Sequence, residues 1–239
     1  MSKLVLVRHG QASFFSDDYD RLSELGERQS RVLGAHWLAR GEAFDEVYHG
    51  SLKRQIRTAE CAGEPFLEAG EPWPDHGMLP GLNEYEADEI MTDLLPILRE
   101  KDETYERLKS EYDNASDDRE KYRTFHRLLE AVMEAWISGE HSPDGLTPWV
   151  AFRDRVRDAV KDIVSRGGSG RRVAVFSSGG PIGVTVQSVL SAPDVMAGRL
   201  NWRINNCSVT EFTFSGDRIA MDCFNSVAHL TDEDLLTYR

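Results

Sequence analysis

The chain has little cysteine and little positive charge. Only three of its 239 residues are cysteine, Cys61, Cys207 and Cys223. None stands at a Cys-x-x-Cys or Cys/His spacing that would hold zinc, so no metal is expected. A sparse, odd set suits a reducing compartment and reads as three small buried hydrophobes, so a cytoplasmic location is expected. Lys and Arg number 28 against 41 Asp and Glu, a net charge of −13. That excludes a general nucleic-acid binder, whose footprint is a basic face. No apolar run approaches the roughly 18 residues of a membrane span. A first strand starting near residue 3 leaves no room for a signal peptide. Repeats and low-complexity tracts are absent too. Hydrophobic content of 40% and charged content of 29% give one packed domain over residues 1–239.

An acidic protein that binds an anion must gather its few cations in one cleft. The arginines therefore matter by position. Lys3 to Val7 is a short apolar run rich in Val and Leu that reads as a buried strand, and it stops at Arg8-His9-Gly10-Gln11. Ligands bind at the carboxyl ends of strands in open α/β sheets. As a lone tripeptide Arg-His-Gly could equally be the polar end of a strand.

Two further junctions repeat the pattern. Phe44–Tyr48 reads as a strand ending at His49-Gly50-Ser51, with Ser51 as the N-cap of a helix that carries Arg54 in its first turn. Arg171–Phe176 reads as a strand ending at Ser177-Ser178-Gly179-Gly180, with Pro181 opening a helix to Leu190. Ser23 should cap a helix running to about Arg40, and Pro148 should begin another that ends at Gly167-Gly168. A proline-rich connector over 71–80 delivers Glu84, the acid expected to enter a cleft. Cys207–Phe214 and Arg218–Phe224 read as a hairpin. The charged stretch of about 87–146 is too long for a simple crossover. It reads as two or three helices, with breaks near Asn114 and Gly139, inserted as a cap over the active edge. Its stripe of Phe125, Leu128, Leu129, Val132 and Trp136 can pack on the sheet or on a second copy in a homodimer. His126 and His141 read as surface residues. The fold class is α/β: three α/β/α layers, a mostly parallel sheet and a helical insertion over the carboxyl edge of its strands.

Taken together, these segments resemble the histidine phosphatase superfamily, which includes the cofactor-dependent phosphoglycerate mutases. The resemblance rests on Arg8-His9-Gly10-Gln11-Ala12, Leu22–Gln29, Ser51-Leu52-Lys53-Arg54 with Thr58-Ala59, Gly81–Glu84, and Asn225 with His229-Leu230. It implies a small phosphorylated substrate and no cofactor. It implies His9 as the nucleophile that carries the phosphoryl group, Glu84 as acid and then base, and Arg8 and Arg54 around the phosphoryl oxygens. Gln11, Ser13, Ser178 and Gly179 would add neutral phosphate contacts.

The sequence departs from the family at Ser178, where a second histidine usually stands. A hydroxyl still donates one hydrogen bond but carries no charge, which implies weaker catalysis. His49 is a candidate stand-in for that imidazole, and His229 is read as structural. The loop after Gln11 lacks the Asn- and Trp-containing segment of the mutases. Hydrolysis of a phosphomonoester is therefore the first expectation. Mutase-type transfer and a phosphate- or partner-binding protein without turnover are the alternatives.

Overall fold

The computed structural model describes residues 1–13, 20–216 and 218–238. Most of the polar loop expected over 12–21, and Asp217 of the hairpin turn, lie outside them.

Six strands form one sheet in the order β3-β2-β4-β1-β5-β6. They are β1 (Ser2–Arg8), β2 (Glu46–His49), β3 (His76–Met78), β4 (Arg172–Ser177), β5 (Val209–Ser215) and β6 (Arg218–Ser226). The first four in spatial order are parallel; β5 pairs antiparallel with β1, and β6 with β5. The period-two pleat of β1 sorts its residues between two cores. Leu4 and Leu6 join Val173, Val175, Phe152, Val156 and Ile182 on one face. Val5 and Val7 join Leu33, Trp37, Ala59, Ala62 and Phe176 on the other. Burial on both faces is why β1 reads as a continuous apolar run.

Helices α1 (Glu24–Ala39) and α2 (Lys53–Glu68) pack on the second face. The first-face core takes in α6 (Trp149–Ser165), α7 (Gly179–Val189) and residues of α8 (Val195–Asn201). Ser23 caps α1 as its sequence suggests, accepting from the Gly26 N–H at 3.0 Å. The insert forms three helices, α3 (Ala87–Lys101), α4 (Glu103–Asp113) and α5 (Asp118–Ser138), with one break at Asp102, which caps α4 through the Thr104 N–H. The apolar stripe of α5 is spent inside this chain: Leu128, Leu129, Val132 and Trp136 are buried in the first-face core. His126 and His141 are half-buried at the surface of the insert.

Some boundaries move for local reasons. Helix α2 starts at Lys53 with Leu52 at the cap, because the Ser51 hydroxyl is taken by the Asn83 amide at 2.7 Å. Helix α7 starts at Gly179, two residues before Pro181. The first four N–H groups of a helix have no intrahelical acceptor, so a proline in the third position costs no bond. Strand β3 arises within the stretch read as connector, and helix α8 in a stretch for which the sequence reading named no element.

Cys61 and Cys207 are buried and their thiols are pushed up to about 12 by burial, so they stay protonated. His229 is buried as well, and burial with the nearby His36 holds its pKa down at about 4. The folded state thus keeps this ring neutral where the unfolded chain protonates it, from about pH 6.5 downward. Stability falls as pH drops from about 6.5 to 4, by about 3 kcal/mol from this group. Urea unfolding of a His229→Leu variant should show a flatter acid limb than wild type. Equal slopes between pH 6.5 and 4 would exclude this source.

Candidate active site

The carboxyl ends of β1, β4 and β2 lie side by side. Arg8 is in register with Ser177, and His49 with Phe176. The His9 N–H donates to the Ser177 carbonyl at 2.8 Å, and the Gly50 N–H to the Phe176 carbonyl. Gly10 then meets the start of α1 so closely that a Cβ there would strike the Gly26 carbonyl, while one on Gly26 would strike the carbonyl of Gln11. Gln11 accepts from the Ser23 hydroxyl through its side-chain oxygen at 2.9 Å, and its N–H reaches Gln29. Gln11 is thereby a tie between strand end and helix cap. The Ser13 N–H donates to the Arg21 carbonyl at 2.8 Å, closing the base of the same loop.

His9 is buried, with Nδ1 2.7 Å from the Gly10 carbonyl. A carbonyl only accepts, so Nδ1 carries the proton and Nε2 keeps its lone pair. Burial lowers the His9 pKa well below the usual value, and the Arg54 and Arg8 charges add to this. The ring is neutral and nucleophilic at neutral pH.

Both arginines are buried. Arg8 donates from Nη1 to the carbonyls of Ile204 and, at 2.8 Å, Tyr238. The first of these is set by Asn225, whose side chain takes the Asn205 N–H and donates to the Arg203 carbonyl. The second is anchored by Gln29, which donates to the Leu235 carbonyl, and by the Asn206 N–H on the Thr237 carbonyl. Arg54 pairs with Asp20 at 2.7 Å, and the other oxygen of Asp20 accepts the Lys53 N–H. Asp20 thus caps α2 where a ligand anion was expected. Sequence reading missed it, since its partners lie more than 30 residues away in the chain.

Glu84 enters from the turn Pro80–Leu82. Its carboxylate accepts the Gly180 N–H at 3.0 Å and the Tyr85 N–H at 3.2 Å. Burial raises its pKa, outweighing those two bonds and the two arginines. A carboxyl whose protonated form is favoured is suited to donate a proton.

Ser178 is fully buried at the N-cap of α7, yet its hydroxyl does not cap the helix. It accepts instead from Gln55 Nε2 at 2.9 Å. Gln55 carries no family signal and went unremarked in the sequence. Gly179 abuts Asn201, so closely that a Cβ would strike its side-chain oxygen. His49 has its own engagements: Nδ1 bonds the Gly50 carbonyl, and its ring stands edge-on to His76. It lies two strands from β1, about 10 Å across the sheet with β4 between. Among the described residues, no group of three or more His, Cys, Asp or Glu side chains could hold a metal ion. No helix there is long and apolar enough to cross a membrane.

The family model described as histidine phosphatase superfamily (branch 1) matches residues 4–144 and 103–227. The chain belongs to this superfamily. Solved structures of similar shape agree with the fold of a histidine phosphatase. A mutant phosphoserine phosphatase from Entamoeba histolytica, in complex with phosphoserine, is 18% identical over 96% of this chain and 100% of its own, with a TM-score of 0.62. A mycobacterial glucosyl-3-phosphoglycerate phosphatase is 20% identical over 94% and 98%, with a TM-score of 0.58. A putative α-ribazole-5′-P phosphatase from Escherichia coli is 16% identical over 94% and 96%, with a TM-score of 0.59.

The contact between Gly180 and Glu84 can be tested directly in this member of the superfamily. A Cβ at position 180 would strike Glu84 Oε1 and come within 2.9 Å of the Tyr85 ring. Gly180→Ala should displace the acid and lower kcat about 10²-fold, with the fold retained by circular dichroism. Unchanged kcat would show that the carboxyl position is not critical.

Proposed function

We propose that this chain is a phosphatase that hydrolyses a small phosphomonoester through a phosphohistidine on His9. The observation that carries the reading is a buried, neutral His9 with its proton fixed on Nδ1, sharing a strand-end cluster with two arginines and a carboxyl of raised pKa. Membership of the superfamily, and the phosphatase names of its structural neighbours, support the same class.

In the first step the Nε2 lone pair attacks phosphorus and the ester P–O bond breaks. Glu84 gives its proton to the leaving oxygen. In the second, the Glu84 carboxylate takes a proton from water, the water oxygen attacks phosphorus, and the P–N bond breaks. Phosphate leaves and His9 returns neutral. Arg8 and Arg54 hold the equatorial oxygens, where charge sits throughout the transfer. Tyr238, whose carbonyl meets Arg8, also lines a groove of about 900 Å³ with Arg119, Arg123, His126 and Arg127 of α5. Glu84 and Tyr85 line a second pocket with Trp136 of α5 and Arg155 of α6, and these two places are the candidates for substrate selection.

A second reading, phosphate binding without turnover, is favoured by one observation: a serine stands at position 178, where the family usually has an imidazole. Release of inorganic phosphate from p-nitrophenyl phosphate separates the two. Wild type should turn over, and His9→Ala should fall at least about 10³-fold, as expected when a covalent nucleophile is removed. Equal rates for the two proteins would leave the binding reading standing.

A further inference from the structure

We infer that Gln55 positions the Ser178 hydroxyl as a phosphoryl-oxygen donor, so that an amide–hydroxyl pair stands where the family has an imidazole. The inference rests on the phosphatase reading for its substrate, and on three local observations for its geometry.

The first is the direction of the Gln55–Ser178 bond. Gln55 Nε2 lies 2.9 Å from Ser178 Oγ and 3.2 Å from the Leu82 carbonyl. The Leu82 oxygen is an obligate acceptor, so the amide atom facing it must be the NH2 group. Ser178 Oγ is therefore the acceptor in its bond with Gln55. Its own proton is directed away from Gln55, and no acceptor for it is found among the described residues.

The second is what Ser178 does not do. A serine at an N-cap ordinarily turns its oxygen onto the first-turn N–H groups. Here it does not, although Ser178 stands at the cap of α7. The neighbouring first-turn donor, the Gly180 N–H, goes to Glu84. The hydroxyl is held off the helix by the amide, two residues before the N–H that holds Glu84.

The third is the cost. Gln55 is fully buried and its Oε1 has no hydrogen-bond partner. Buried polar atoms are rarely left so. Gln55 lies one residue after Arg54 on α2, so the helix that supplies a phosphate-gripping cation also supplies the amide. A buried amide with an orphaned oxygen is a poor structural filler; its N–H groups account for its presence.

Ser178 would touch the phosphoryl group, whereas Gln55 acts through it and is a positioning residue. The test is a double-mutant cycle on kcat/KM for p-nitrophenyl phosphate and, in parallel, on orthovanadate affinity by calorimetry. Gln55→Met keeps the volume and removes the donor; Gln55→Ala is the second variant should methionine misfold. Ser178→Ala should lower kcat/KM about 10²-fold and Gln55→Met about 10-fold. The double variant should match Ser178→Ala within about twofold, since the amide acts only through the hydroxyl. Two results would overturn the inference: Gln55→Met or Gln55→Ala retaining wild-type kcat/KM and vanadate affinity while only melting lower, or two losses that multiply. If His9→Ala hydrolyses as fast as wild type, the phosphatase reading fails, and the vanadate cycle still decides the role of Gln55.

Discussion

Strand β4 is the template on which the site is assembled. Its last two carbonyls, on Phe176 and Ser177, accept the N–H groups of Gly50 and His9, the residues where the two neighbouring strands give way to loops. Its next residue, Ser178, begins α7. Segments from opposite ends of the chain thus reach one point because β1 and β2 pair with the two edges of one short strand. Parallel pairing puts all three carboxyl ends on one side of the sheet, the general reason such edges bind ligands. The depth of β1 and β4 in the core then makes the edge rigid. Val173 to Phe176 are wholly buried, and a slip of β4 by one residue would exchange its side chains between the two differently shaped cores.

That burial also sets the electrostatics. Arg8 and Arg54 are held out of bulk water, and each has a built-in partner: the Ile204 and Tyr238 carbonyls for one and the Asp20 carboxylate for the other. Unpartnered buried cations would be costly. Their charges and the loss of water both disfavour protonated His9, while loss of water favours protonated Glu84. One environment therefore pushes a base and an acid toward the two protonation states that a nucleophile and a proton donor need. In a chain of net charge −13, cations placed this deep have a local role that the overall balance does not reveal.

The parts of this arrangement that were legible in the sequence are those fixed by short-range rules. Val-Leu alternation gave β1, Ser23 gave the start of α1, and Arg8, His9, Arg54 and Glu84 stood out by type and by position at strand ends. Strand β3 was hidden because it is three residues long with a glycine at its centre; Gly77 is there because a Cβ would meet the Tyr48 ring at 2.6 Å. Asp20 and Gln55 were hidden for a different reason. Each gains its role only from a partner distant in sequence, Arg54 for one and Ser178 for the other. No periodicity, cap or turn signal marks such a residue in advance. The proposed stand-in, His49, was plausible by position on a neighbouring strand end, but strand β4 stands between it and β1.

Replacing an imidazole by a hydroxyl and an amide changes more than donor strength. An imidazole in that position titrates near neutrality, and when charged it would push His9 further from protonation. Neither serine nor glutamine titrates in this range. On the proposed reading the side-chain donors around the phosphoryl group are two arginines and a hydroxyl, all constant from mildly acidic to mildly basic pH. In the proposed mechanism the pH dependence of the chemical steps is then left to His9 and Glu84. His9 must be neutral to attack, and burial has already lowered its pKa. Glu84 must be protonated to release the alcohol, and burial has already raised its pKa. The two displacements move the limits of activity outward on both sides: base attack survives further into acid, and acid donation further toward neutrality. What the pocket loses in charge by having Ser178 it gains in a wider window over which its donor set is unchanged.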